Sequence, residues 1–102
     1  MYTYTSGAGG EHAEGMYTFA AGGGGGHAEG KYTMVSGGGG EHAEGQYTFA
    51  TGNGAAHAEG YGSLAQGSAA HAEGCESKAT ADYSHAEGYK TQAKSNNAHS
   101  EG

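Results

Sequence analysis

The chain has 102 residues, a net charge of −7, 23 glycines, no proline and no tryptophan. Its large apolar side chains reduce to Phe19, Phe49, Leu64, Val35 and three methionines, too few for a thick core, and glycine loses the most freedom on ordering. Only four lysines carry positive charge, which excludes a basic nucleic-acid-binding stripe, and no stretch approaches the ~20 apolar residues of a membrane span.

The tetrapeptide His-Ala-Glu-Gly occurs six times, and His-Ser-Glu-Gly closes the chain. The histidines are His12, His27, His42, His57, His71, His85 and His99, spaced by three intervals of 15 and three of 14. The whole chain therefore divides into coils 1–15, 16–30, 31–45, 46–60, 61–74, 75–88 and 89–102, with nothing left over for a separate domain. A disordered linker has no reason to hold His, Ala, Glu and Gly in phase, so a narrow solenoid of stacked units is expected.

In chain order, each coil opens on a half-coil such as Thr18-Phe19-Ala20-Ala21-Gly22, Thr33-Met34-Val35-Ser36-Gly37, Thr48-Phe49-Ala50-Thr51-Gly52 or Ser63-Leu64-Ala65-Gln66-Gly67. Each ends on one such as Ser84-His85-Ala86-Glu87-Gly88. Both halves alternate small and variable residues, which is the period of a strand. Thr or Ser, Ala and Gly should point inward, and the larger residues outward. Gly15, Gly30, Gly45, Gly60, Gly74 and Gly88 are expected at the turns, where positive φ and close backbone approach favour glycine.

Helix is excluded because no stripe recurs at three and four residues. Collagen is excluded because glycine has no period of three, and the calcium-binding nonapeptide roll because Asp82 is the one aspartate. The fold class is all-β: a narrow parallel β-solenoid with two short strands per 14–15-residue coil. Seven coils at ~4.8 Å rise roughly 30–35 Å. The first four coils carry their extra residue between the first strand and the histidine, as in Gly22-Gly23-Gly24-Gly25-Gly26-His27. Glu11 and Glu41, just before the histidine, are expected to turn out to solvent in that wider loop, because an inward charge is costly.

The doubled Ser-x-Ala-x-Gly pattern, as in Ser84, Ala86 and Gly88, resembles the head repeats of trimeric autotransporter adhesins (the YadA-like head). The His-Ala-Glu-Gly arrays are similar to those of phage tail-fibre and tail-spike proteins. The resemblance spans the whole chain. It implies a left-handed parallel β-roll, three chains packed side by side, and adhesion to a host surface or matrix, or a rigid fibre segment, without catalysis. His85 and Glu87 take positions that are usually aliphatic in the adhesin heads, which leaves open which strand would face a trimer axis. The signal peptide, coiled-coil stalk and anchor of those adhesins have no counterpart expected in these residues.

Two outward surfaces follow. One strand of each coil presents His12 and Glu14, His27 and Glu29, His42 and Glu44, His57 and Glu59, His71 and Glu73, His85 and Glu87, and His99 and Glu101. The other presents Tyr2 and Tyr4, Tyr17 and Phe19, Tyr32 and Met34, Tyr47 and Phe49, then Tyr61 and Leu64, and ends in Lys78 with Thr80 and Gln92 with Lys94. An apolar stripe of this length marks an interface or braces neighbouring coils. For the His/Glu columns three readings stand. They are an interlocked structural ladder that sets the register between chains, a repeated metal site, and a solvated polar face. A ladder of histidines makes assembly pH-sensitive. Cys75 sits where other coils place Met16, Lys31, Gln46, Tyr61 and Tyr89, so it reads as an exposed, incidental thiol.

No nucleophilic triad, phosphate loop or catalytic carboxylate pair stands apart from the repeat, so no enzyme and no cofactor are expected. The expected function is a structural or adhesive segment of a homotrimeric surface adhesin or tail fibre, extracellular or on a virion. Its partner is itself, with a host receptor, glycan or matrix protein as a further partner. A head-to-tail filament, in which Gly102 is followed by Met1 of another copy, and a metal-binding ladder are the alternatives.

Overall fold

The computed structural model describes residues 2–7, 9–22 and 24–102. Met1, expected to head the first coil, and Gly23, expected in the glycine run before His27, lie outside the described residues, as does Ala8. Every regular element among the described residues is a strand. In order these are β1 (Thr3–Gly7), β2 (His12–Met16), β3 (Thr18–Gly22), β4 (His27–Lys31), β5 (Met34–Gly37), β6 (His42–Gln46), β7 (Phe49–Ala50), β8 (His57–Tyr61), β9 (Leu64–Ala65), β10 (His71–Cys75), β11 (Lys78–Ala79), β12 (His85–Tyr89), β13 (Gln92–Ala93) and β14 (His99–Glu101).

The odd-numbered strands form one seven-stranded sheet and the even-numbered strands another, each in sequence order. All pairings are parallel and bring equivalent residues together, such as His27 with His42 and Phe49 with Leu64. The chain thus winds as a parallel β-solenoid, 33 Å long and only 10 Å across its thinnest direction. The expected fold class and rise are what the structure has.

The inside is built from methyl and hydroxymethyl groups. The buried apolar residues are Val35 and a file of alanines that runs from Ala20 to Ala93. Thr18, Thr33, Thr48, Ser63, Ser77 and Ser84 are buried beside them. The serines find acceptors: Ser63 Oγ donates to the Glu59 carbonyl at 2.9 Å and Ser77 Oγ to the Gly88 carbonyl at 3.0 Å. The Oγ1 atoms of Thr18, Thr33 and Thr48, in the longer coils, have no partner. There the extra methyl fills width, and the hydroxyl is left unsatisfied at a cost of about 1–3 kcal/mol. Val35 fits because the adjoining rung carries Gly26, where a Cβ would press into Val35 Cγ1.

Three expectations are corrected. Gly15, Gly30, Gly45, Gly60, Gly74 and Gly88 do not sit at the turns. They are the fourth residues of β2, β4, β6, β8, β10 and β12, at φ of 108–120°. A Cβ on any of them would overlap the carbonyl oxygen of the equivalent glycine in the next rung. The bend comes two residues later, at Tyr17, Tyr32, Tyr47, Gly62, Glu76 and Lys90, all with positive φ. Tyr32, Tyr47, Gly62, Glu76 and Lys90 stay in the ladder by donating back to the previous rung, as from Tyr32 N to the Met16 carbonyl at 2.9 Å.

Second, Glu41 does not turn out to solvent. It is 1% exposed, with its carboxylate against Gly37 and accepting from the Gly39 N–H. Glu11 makes the same backward contact with the Gly9 N–H but stays half-buried. The bond to the N–H two residues earlier fastens the glycine-rich turn, and that local gain draws the side chain in. Third, Tyr61 closes β8 and pairs in register with Gln46 and Cys75, one position before the tyrosine column it was grouped with.

The glycine file should therefore be the least tolerant part of the fold. Gly60→Ala is expected to destabilise by on the order of 3 kcal/mol or more. Gly54→Ala, also at positive φ but with no backbone closer than 3.9 Å to its new Cβ, should lose only about 1 kcal/mol. Denaturant midpoints of the two variants check the difference, and equal losses would assign the cost to φ alone. Glu41→Gln keeps an acceptor for Gly39 and removes a buried charge. It should raise stability by about 1 kcal/mol at neutral pH, and a lowered midpoint would mean that the carboxylate has partners worth more than its burial costs.

Candidate functional site

The even-strand sheet turns one side chain in two outward, and parallel register stacks like on like. The imidazoles of His27, His42, His57, His71, His85 and His99 form a continuous pile with centroids 4.6–4.8 Å apart and planes within 9° of parallel. His12 joins at 4.8 Å with a 34° tilt. Beside it runs the carboxylate file. Each His Nε2 lies 3.6–3.9 Å from the glutamate of its own rung. Glu73 and Glu87 also reach up, to His85 at 4.0 Å and His99 at 3.8 Å. All fourteen residues expected in these columns are thus brought into one ladder.

These separations are ion-pair distances rather than hydrogen bonds. The Nε2 atoms of His27, His42, His57, His71 and His85 are shut off from solvent without a hydrogen-bond partner, although each side chain is about a third exposed. Burial lowers the pKa of His27, and the neighbouring imidazoles His42 and His12 push it further down. His71 is lowered in the same way, by burial and then by His57 and His85. In the carboxylate file, Glu29 is raised because its protonated form hydrogen-bonds Glu44 and Glu14. Glu44, which accepts from Glu29 and Glu59, is lowered. The two shifts oppose each other because a proton held by Glu29 is donated to Glu44.

Several His-Glu-His sets, such as His71, Glu73 and His85, hold their ligand atoms within 4.8 Å of one another. Two ligands on one zinc ion at about 2.1 Å stand at most about 4.2 Å apart, and about 3.4 Å in a tetrahedron. Stacked rings 4.6–4.8 Å apart point their lone pairs in parallel rather than at a common point. Two imidazoles share an ion only by leaving the stack, so each rung as folded offers one imidazole and one carboxylate. Outside the glutamates lies an open groove of about 1090 Å³, lined by Glu44, Glu59, Glu73, Glu87 and Glu101 with their following glycines.

The apolar residues divide into two columns. Tyr4, Phe19, Met34, Phe49 and Leu64 line up on the odd-strand sheet, giving way to Lys78 and Gln92. Tyr2, Tyr17, Tyr32 and Tyr47 stack at the corner between the sheets. The opposite corner holds a polar ladder that the repeat alone does not announce. Asn53, Asp82 and Asn96 side chains accept from the Gly38, Ser68 and Asp82 N–H groups of the preceding rung. Its sequence signal is the Asn or Asp placed four residues before His57, and three before His85 and His99. Cys75 is half-buried at the end of β10.

Histidines with folded pKa values below their unfolded value of about 6.5 leave the unfolded chain to bind protons first. Stability from this source is intact above that pH and is lost as pH falls through it. Glu29 acts in the opposite sense, but in the carboxylate range, where Glu44 opposes it. Acidification from pH 7.5 to 5.5 should therefore lower the melting temperature by a few degrees, and the drop should shrink in His27→Gln/His71→Gln. A melting temperature that rises over this interval would reverse the assignment.

No protein-family model matches the chain, and no curated protein matches it.

Proposed function

We propose that the chain is a non-enzymatic rod segment that packs side by side as a homotrimer, serving as a structural or adhesive part of a surface adhesin or phage tail fibre. The observation that carries this reading is the straight apolar column Tyr4–Phe19–Met34–Phe49–Leu64. It lies in register along the outside of one sheet, half-buried to exposed in a single chain. Apolar surface in an unbroken line favours a partner with the same periodicity, and a second copy has it. The thinness of the rod adds to this, since a lumen of alanine and serine buries little apolar area per residue.

Every histidine belongs to the ladder and none is set apart beside a nucleophile, which supports a role without catalysis. The His/Glu face then sets register between chains or stays open to a host receptor, glycan or matrix protein, outside the cell or on a virion. A head-to-tail filament is the second reading. It rests on the unbroken parallel register of equivalent residues from rung to rung, a geometry that further rungs of the same repeat would continue.

Light scattering on a sizing column checks the reading. Three 10.1 kDa chains should elute together, and Phe19→Ser/Phe49→Ser should elute as a monomer with its β signal retained. A monomeric parent chain at micromolar concentration would overturn it. Long rods in micrographs of the same fractions would favour the filament.

A further inference from the structure

We propose that the tyrosine ladder is an oxidative cross-linking site, at which neighbouring phenols of successive rungs couple to dityrosine and fasten the coils covalently. Tyr2, Tyr17, Tyr32 and Tyr47 stand in one file with ring centres 5.2, 4.9 and 5.0 Å apart, and the ring of Tyr61 reaches Tyr47 at 5.8 Å. All five are exposed, the least being Tyr32 at 37%. The chain has no tryptophan to compete as the more easily oxidised ring.

The backbone does not ask for tyrosine here. Tyr17, Tyr32 and Tyr47 occupy a corner at φ of 58–59°, a region that bulky side chains avoid. Gly62, Glu76 and Lys90 make the same corner in later rungs. In these three rungs tyrosine stands against its own conformational preference, so the backbone is not the reason for the ring.

The oxidant is a peroxide delivered through a haem peroxidase. Each phenol gives up one electron and one proton, and the two phenoxyl radicals join through their ortho carbons. Each ring then returns its ortho hydrogen to the phenolic oxygen. In sum, two ring C–H bonds are lost, one C–C bond forms, and one hydrogen peroxide becomes two waters. Coupling needs ring edges to meet. The nearly parallel pairs Tyr17–Tyr32 and Tyr32–Tyr47, at 6° and 2°, must first turn. Tyr2–Tyr17 at 37° and Tyr47–Tyr61 at 78° already depart from face-to-face stacking and should couple first.

Tyr83 and Tyr89 are a built-in control. At 65% and 63% they are more exposed than the ladder's inner rings, but neither has an aromatic ring neighbour among the described residues. The test treats the full chain, dilute, with a haem peroxidase and hydrogen peroxide, and follows intact mass, dityrosine fluorescence and cross-linked peptides. The expected product has the mass of one chain less two, then four, hydrogens, with Tyr2 joined to Tyr17 and Tyr47 to Tyr61. Tyr17→Phe/Tyr47→Phe keeps the stacked rings and should lose nearly all intrachain fluorescence. Coupling through Tyr83 or Tyr89, coupling only between chains, or undiminished fluorescence in the double variant would each overturn the proposal. If that variant fails to fold, the peptide map of the parent chain decides alone.

Discussion

Parallel, in-register hydrogen bonding between rungs is the constraint on which the rest depends. Once His27 pairs with His42 and Gly45 with Gly60, every side chain meets its own equivalent one rung away, at the strand spacing of ~4.8 Å. A residue is then selected for how it stacks on itself. Alanine and serine do so inside a thin lumen. Imidazoles and phenols do so outside, because flat rings fit that spacing. Carboxylates do so at a cost, which a bound proton or a facing imidazole offsets.

The same constraint explains why local irregularities are answered one rung away rather than within the rung. Among the described residues Val35 is the one large apolar residue in the lumen, and the space for it comes from Gly26 in the adjoining coil. The glycines that follow Glu14, Glu29, Glu44, Glu59, Glu73 and Glu87 are required by the carbonyl of the next rung's glycine, so a single substitution strains two coils. Asp82 is both donor and acceptor in the polar corner, taking the Ser68 N–H below and giving its own N–H to Asn96 above. Cooperativity along such a rod is nearest-neighbour in kind. His12 and His99, each stacked on one imidazole rather than two, are more exposed than the inner His42.

Much of this was legible in the sequence, because period and alternation are global properties that no local accident erases. The intervals of 15 and 14 between histidines place the rungs, and the Thr-x-Ala alternation places the lumen. What escaped was local geometry. A glycine needed for positive φ inside a strand looks the same in sequence as one needed at a turn, so Gly60 reads as a turn residue although it lies inside β8. Glu41 reads as a charge that must leave the interior until the Gly39 N–H is seen to hold it there. Tyr61 follows its glycine directly, whereas Tyr47 stands one place further on. Only the register of β8 against β6 and β10 separates their columns.

The ladder of imidazoles and carboxylates also differs in geometry from a single convergent site. A metal centre or a catalytic pair needs lone pairs that converge, and convergence requires side chains brought in from different directions. Parallel stacking does the reverse. It multiplies one donor set along an axis and keeps every copy pointing the same way. What such a surface offers is valency, many identical weak contacts at a fixed pitch. A partner that shares the pitch engages all of them together, and another copy of the same rod is the object most certain to share it.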